Sequence, residues 1–214
     1  MARQLRNTIR LFKVGSKLYT AEGPRAVDRL AGFGYETFLD LKFHDIPNTV
    51  AGAVAAAADL RGVAMLTLHA SGGLAMMRAA REALTGRKTR PALLGVTVLT
   101  SLDSAALRQI GMVGTPTAQA VKLAKLAQDA QLDGVVTSAC EVSAIRRACG
   151  SKFLIVVPGI RPSSAGADDQ SRTATPAEAI RAGANYLVVG RPITGAPNPR
   201  ESALAITAEI ESAS

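Results

Sequence analysis

Seven short apolar runs alternate with amphipathic stretches along the chain: LFKVG (11–15), TFLDLKF (37–43), AMLTLHA (64–70), ALLGVTVLT (92–100), GVVTS (134–138), FLIVVPG (153–159) and YLVVG (186–190). Each run has strand length and is apolar on both faces, as a strand is when helices cover both sides of its sheet. Helix-like segments lie between them at 24–31, 48–60, 73–84, 118–130, 139–149 and 176–182. TPAEAIRAGA (175–184) carries a complete helix start: Thr175 as N-cap, Pro176 at the first position and Glu178 at the third.

Strand and helix in regular alternation predict parallel strands joined by crossovers. A doubly wound sheet satisfies that pattern. A TIM-type (β/α)8 barrel fits better, because polar residues recur at the C-terminal ends of the strands, where such barrels place their chemistry. These are Lys13, Asp40, Lys42, His69, Thr100, Ser138, Arg161 and Arg191. Only seven strands are recognisable, so the α/β barrel reads as incomplete, within one domain spanning 1–214. The longest irregular stretch, RPSSAGADDQSRTA (161–174), follows a strand and reads as a lid, with Asp168 and Asp169 as solvated loop charges.

The second run concentrates charge. Alternation puts Phe38, Asp40 and Lys42 on one face, inward in a barrel, and Leu39, Leu41 and Phe43 on the other. Charges taken inside must pair. An internal salt bridge closing the barrel is one outcome. A reactive array of Asp40, Lys42 and Asp45 at the strand's C-terminal end is the more specific one.

Composition narrows the picture. The chain has 214 residues, 48% hydrophobic and 4% aromatic, enough for one substantial core. No apolar run approaches the roughly 20 residues that span a bilayer, and no h-region follows the N-terminus, so a cytoplasmic protein is expected. Cys140 and Cys149 show no CxxC spacing and read as free thiols. The net charge of +8 raises nucleic-acid binding, but no basic patch interleaved with aromatics accompanies it. A basic surface or a phosphorylated substrate accounts for the charge instead. GPR (23–25) is no GxGxxG element, so no dinucleotide is implied. His44 and His69, with Asp40, raise a metal site; the reading adopted is hydrogen-bonded structural histidines and no metal. Residues 1–21 hold Arg3, Arg6, Arg10, Lys13 and Lys17 and no acid. A targeting peptide, a basic surface segment and a start downstream of the natural one all fit that bias.

KVG (13–15), DLKFHDIPNT (40–49), HASGG (69–73), VTVLTS (96–101), VVPGIRP (156–162), DQSR (169–172) and VVGRPIT (188–194) occur in this order. Together they resemble the orotidine 5′-phosphate decarboxylase family, from about residue 10 to about residue 200. The resemblance implies a cofactor-free decarboxylation in pyrimidine synthesis. It implies a charge network of Lys13, Asp40, Lys42 and Asp45, in which Lys42 protonates C6 of the pyrimidine. It further implies a homodimer in which Asp45 and Thr49 complete the partner's site. Thr100, next to Ser101, addresses the pyrimidine edge, and Gln170, Gly190 and Arg191, with Arg161 at the same rim, hold the 5′-phosphate. D-x-K-x-x-D is shared with Mg²⁺-dependent relatives, the hexulose-phosphate synthases and keto-gulonate-phosphate decarboxylases; PGIRP, GRPIT and Lys13 favour the metal-free branch. A non-catalytic nucleotide-binding protein is the remaining alternative. The family's barrel opens with a strand ending in LD whose Asp contacts the ribose. Nothing before Leu11 reads that way, so the chain is expected to lack the first βα unit, to leave two sheet edges open, and to come from a longer gene product.

Overall fold

Each apolar run forms a strand in the computed structural model, which describes residues 1–162 and 174–213. The strands are β1 (Leu11–Gly15), β2 (Glu36–Phe43), β3 (Val63–His69), β4 (Ala92–Val96), β5 (Gly134–Val136), β6 (Leu154–Val157) and β7 (Tyr186–Leu187). They pair in sequence order, and every pairing is parallel. From β4 onward the strands stop before the apolar runs do. Thr97–Thr100, Thr137–Ser138, Pro158–Gly159 and Val188–Gly190 lie past the strand ends and lead into the loops above the sheet's C-terminal edge, while the Thr97, Thr137 and Val188 N–H groups still donate to carbonyls of the neighbouring strand.

The crossovers contain α1 (Ser16–Glu22), α2 (Arg25–Gly32), α3 (Pro47–Ala58), α4 (Gly73–Glu82), α5 (Ser104–Gln109), α6 (Pro116–Asp129), α7 (Val142–Cys149) and α8 (Pro176–Arg181), and α9 (Arg191–Thr194) and α10 (Pro199–Glu211) follow the last strand. The capping box at the start of α8 is complete: Thr175 accepts from the Glu178 N–H, and Glu178 accepts from the Thr175 N–H. Four helices, α1, α5, α9 and α10, have no counterpart in the apolar pattern. The first three are seven residues or shorter. The fourth carried a legible signal, with Asn198 as N-cap and Pro199 at the first helical position.

Apolar packing is layered. Leu39, Leu66, Leu93, Val135 and Ile155 point outward from the sheet into the helices. Phe38, Met65, Leu94, Val96, Val136 and Val156 cluster on the concave side. The basic N-terminal segment is packed rather than free: Leu5 is buried with Ile193, Ala203 and Ile206, and the Tyr35 hydroxyl donates to the Ala2 carbonyl at 2.9 Å. At the N-terminal end of the sheet, Arg90 binds both oxygens of Asp133 at 2.7 Å, and Asp133 also accepts the Leu93 N–H at 2.8 Å. Burial opposes charge on Asp133, but those donors outweigh it and hold the carboxyl below its ordinary value.

The sheet curls without closing. β1 and β7 are its end strands, and both border one groove of about 330 Å³, floored by Phe38, Met65 and Val156 and walled outside by Ile206 and Ile210. Cys140 is exposed and Cys149 buried, and both are free thiols. No described helix is long and apolar enough to cross a membrane.

Candidate active site

The site begins with a defect in β2. Leu39 pairs with Leu66 and Phe43 with Leu68, so Asp40, Leu41 and Lys42 all stand opposite Thr67 alone. Such a bulge re-aims side chains at the expense of ladder hydrogen bonds. Lys42 takes the left-handed turn, with φ of 54°, a conformation costing a non-glycine residue about 1–2 kcal/mol. Its N–H donates to Thr67 Oγ1 at 2.9 Å in place of a ladder carbonyl. The face assignment from alternation still holds. Asp40 and Lys42 line the cavity, while Leu39, Leu41 and Phe43 pack toward the helices.

Asp40 is the hub. Its carboxylate lies 2.7 and 2.8 Å from Lys42 Nζ, 3.3 Å from Lys13 Nζ and 3.0 Å from the Thr67 hydroxyl. The Asp40 side chain is 9% exposed, whereas Lys13 and Lys42 keep 36% and 33%, so the acid is sunk and the two ammonium groups reach the cavity. Burial works against the Asp40 charge. The Lys42 ammonium and its hydrogen bond, then Lys13, then Thr67, overcome burial and hold the carboxyl below its ordinary range. Lys13 reaches Asp40 from β1, where Gly15 is Asp40's register partner. A Cβ at Gly15 would come within 2.9 Å of Lys13 Nζ, so glycine there leaves the ammonium its place.

Above this cluster is a cavity of about 680 Å³ at the C-terminal ends of the strands. Lys13, Lys17, Lys42, Arg161 and Arg191 line it, and among the described residues Asp40 is its one acid. Val96, Val98, Leu99 and Val136 give it an apolar wall, and Thr100, Thr137, Gly159 and Gly190 reach it from the loops. Behind that wall the buried Thr97 hydroxyl donates to the Val136 carbonyl at 3.0 Å and sits 3.1 Å from Thr137 Oγ1. A pocket of one carboxylate, several cations and an apolar wall suits a flat, polyanionic ligand with a phosphate.

Of the residues the sequence singled out, Lys13, Asp40, Lys42, Thr100, Arg161, Gly190 and Arg191 converge here. Asp45 does not. It is exposed, its Oδ1 accepts the Ile46 N–H at 2.6 Å, and among the described residues it forms no ion pair with either lysine. Thr49 is exposed in the first turn of α3. Gln170, Asp168, Asp169 and most of the expected lid lie outside the described residues, although the stretch is bridged at its ends, where the Arg161 N–H donates to the Ala174 carbonyl at 2.9 Å. The His44 and His69 rings are 5.2 Å apart. Burial, then the neighbouring His44 and Lys42, lower the His69 pKa, against the pull of Asp40. Sequence reasoning missed Lys17, Thr67, Thr97 and Thr137. Thr67 was within reach, since alternation from the inward Met65 places it on the inner face beside Asp40's strand.

A family model described as orotidine 5′-phosphate decarboxylase / HUMPS matches residues 1–206. The chain belongs to this family. An orotidine 5′-phosphate decarboxylase of Nitrosococcus oceani is 56% identical over 210 residues, covering 98% of this chain and 90% of that relative. One of Saccharophagus degradans is 51% identical over 211 residues, covering 99% and 88%. Among solved structures, the orotidine 5′-phosphate decarboxylase of Lactobacillus acidophilus superposes with a TM-score of 0.81 at 39% identity, over 92% of this chain and 85% of that one. The (β/α) barrel architecture read from the strand pattern is thus that of the decarboxylase / HUMPS family.

Proposed function

We propose that the chain decarboxylates orotidine 5′-monophosphate to uridine 5′-monophosphate, the closing step of pyrimidine synthesis, with no cofactor. The observation that carries this reading is the buried Asp40 held between two cavity-facing lysines under a cationic pocket. In the reaction the C6–carboxylate bond breaks and carbon dioxide leaves. The electron pair left on C6 takes a proton from Lys42 Nζ, and solvent returns a proton to the amine. The ammonium is matched to carbanion character that is larger in the transition state than in the substrate. Asp40 pairs with the Lys42 ammonium at 2.7 Å and stands where the substrate carboxylate is crowded.

Lys13 completes the network. Thr100 meets the pyrimidine edge, while Arg161, Gly190 and Arg191, with Gln170, take the 5′-phosphate. An arginine fork plus backbone N–H groups suits a phosphate. Asp45 and Thr49 serve the site of a second copy, a role supported by their exposure beside the array and by the lack of an ion pair from Asp45 to its own chain's lysines.

The test is incubation of the purified protein with orotidine 5′-monophosphate, with uridine 5′-monophosphate and released carbon dioxide quantified with and without EDTA. Equal turnover in both arms is expected. Turnover abolished by EDTA and restored by Mg²⁺ would move the chain to the sugar-phosphate branch.

A further inference from the structure

We infer that Thr67 is a positioning residue for this reaction: its single hydroxyl fixes both the direction of Asp40 and the left-handed backbone turn that aims Lys42 into the cavity. The inference rests on the proposed roles of Asp40 and Lys42.

Thr67 is the one β3 residue facing the whole three-residue bulge of β2, and it is fully buried at 0% exposure. A hydroxyl offers one proton and two lone pairs. Thr67 uses the proton on Asp40 Oδ1 at 3.0 Å and a lone pair on the Lys42 N–H at 2.9 Å. The two contacts act on opposite ends of one ion pair. One holds the carboxylate that the Lys42 ammonium meets at 2.7 Å, and the other holds the backbone from which that lysine projects. Lys42 sits at φ of 54°, where an L-residue persists only if its surroundings impose it. Without the hydroxyl, the bulge loses its cross-strand anchor and the Lys42 N–H is left without this acceptor. A residue in this role never touches substrate. It acts through the distance between Lys42 Nζ and the reacting carbon, so its signature is a change in turnover rather than in ground-state affinity.

The experiment compares Thr67→Val, Thr67→Ser and Lys42→Ala with the wild-type protein. It measures kcat, KM, uridine 5′-monophosphate affinity, the pH profile of kcat, and folding by circular dichroism. Thr67→Val is expected to lower kcat about 10- to 100-fold, the scale of a misplaced reacting group, with KM and product affinity within about threefold. Its acid limb moves to higher pH, because Asp40 has lost a donor that favours its charged form. Thr67→Ser restores both kcat and the acid limb to near wild type. Should Thr67→Val fail to fold, Thr67→Cys, of similar size and with a much weaker hydrogen bond, takes its place with the same expectations. A folded Val or Cys variant with wild-type kcat and acid limb would overturn the inference, as would a Ser variant as impaired as Val. Lys42→Ala separates the two levels: if it stays active, the reading of the site fails, and if it is inactive while Thr67→Val is unimpaired, only the role of Thr67 fails.

Discussion

Lys42 and Asp40 form a pair whose parts are unequal. Asp40 is buried and paired with two lysines, which hold its carboxyl below the ordinary range, while each lysine keeps about a third of its side chain open to the cavity. Gly15 adds a constraint at the same scale. Gly15→Ala places a methyl group within 2.9 Å of Lys13 Nζ and displaces the flexible ammonium from Asp40. The expected result is a fall in kcat of about tenfold with a nearly unchanged melting temperature, read by steady-state kinetics and thermal unfolding. His69 predicts a pH effect on stability. Its folded pKa is lowered, first by burial and then by His44 and Lys42, so the unfolded chain binds the proton first as pH falls. Stability from this group is full above its unfolded value of about 6.5 and declines as pH drops below it. The urea midpoint should therefore fall between pH 8 and pH 5, and His69→Asn should shrink that fall.

At the scale of elements, most of the sheet was legible and the site's central distortion was not. Short, mostly apolar runs separated by amphipathic stretches located the seven strands, and the two-residue alternation put Asp40 and Lys42 on the inward face of β2. The bulge left no trace in the pattern, because Thr67 and the left-handed Lys42 are recognisable only once β2 and β3 are paired. Shortened β4 to β7 have the same cause: residues such as Val98 and Val188 are apolar yet belong to the cavity wall. Asp45 shows the limit of motif spacing, since it is near Lys42 in sequence yet, among the described residues, accepts from the Ile46 N–H and forms no ion pair with Lys42. Far from the cavity, Arg90 and Asp133 join the N-terminal ends of β4 and β5. Asp133→Ala removes the partner of a partly buried arginine and is expected to cost about 1.5–3 kcal/mol in denaturant unfolding. The depressed carboxyl makes that contribution complete above the usual aspartate range, declining as pH falls below that range and lost once pH has passed the lowered folded value. Because the pair lies at the opposite end of the strands, kcat should be unchanged.

For the whole molecule, the proposed role of Asp45 calls for a site built from two copies. Complementation tests this. Lys42→Ala and Asp45→Ala proteins should each be inactive as pure species. Random mixing after exchange makes half the dimers hybrids, each with one intact site and one doubly altered site, so activity should return to about a quarter of wild type. No recovery on mixing would assign Asp45 to its own chain. The sheet's curl has a functional consequence as well, since it gathers side chains from β1, β2, β4 and β5, and the loops that follow β4, β5, β6 and β7, around one opening.

Proton delivery by Lys42 is measured by following orotidine 5′-monophosphate consumption by the wild-type protein and by Lys42→Ala in D₂O, with deuterium at C6 of the product read by NMR. Wild-type turnover should give uridine 5′-monophosphate deuterated at C6, and Lys42→Ala should lose about 10³-fold or more with product binding retained. Wild-type turnover surviving intact in Lys42→Ala would contradict proton delivery by Lys42.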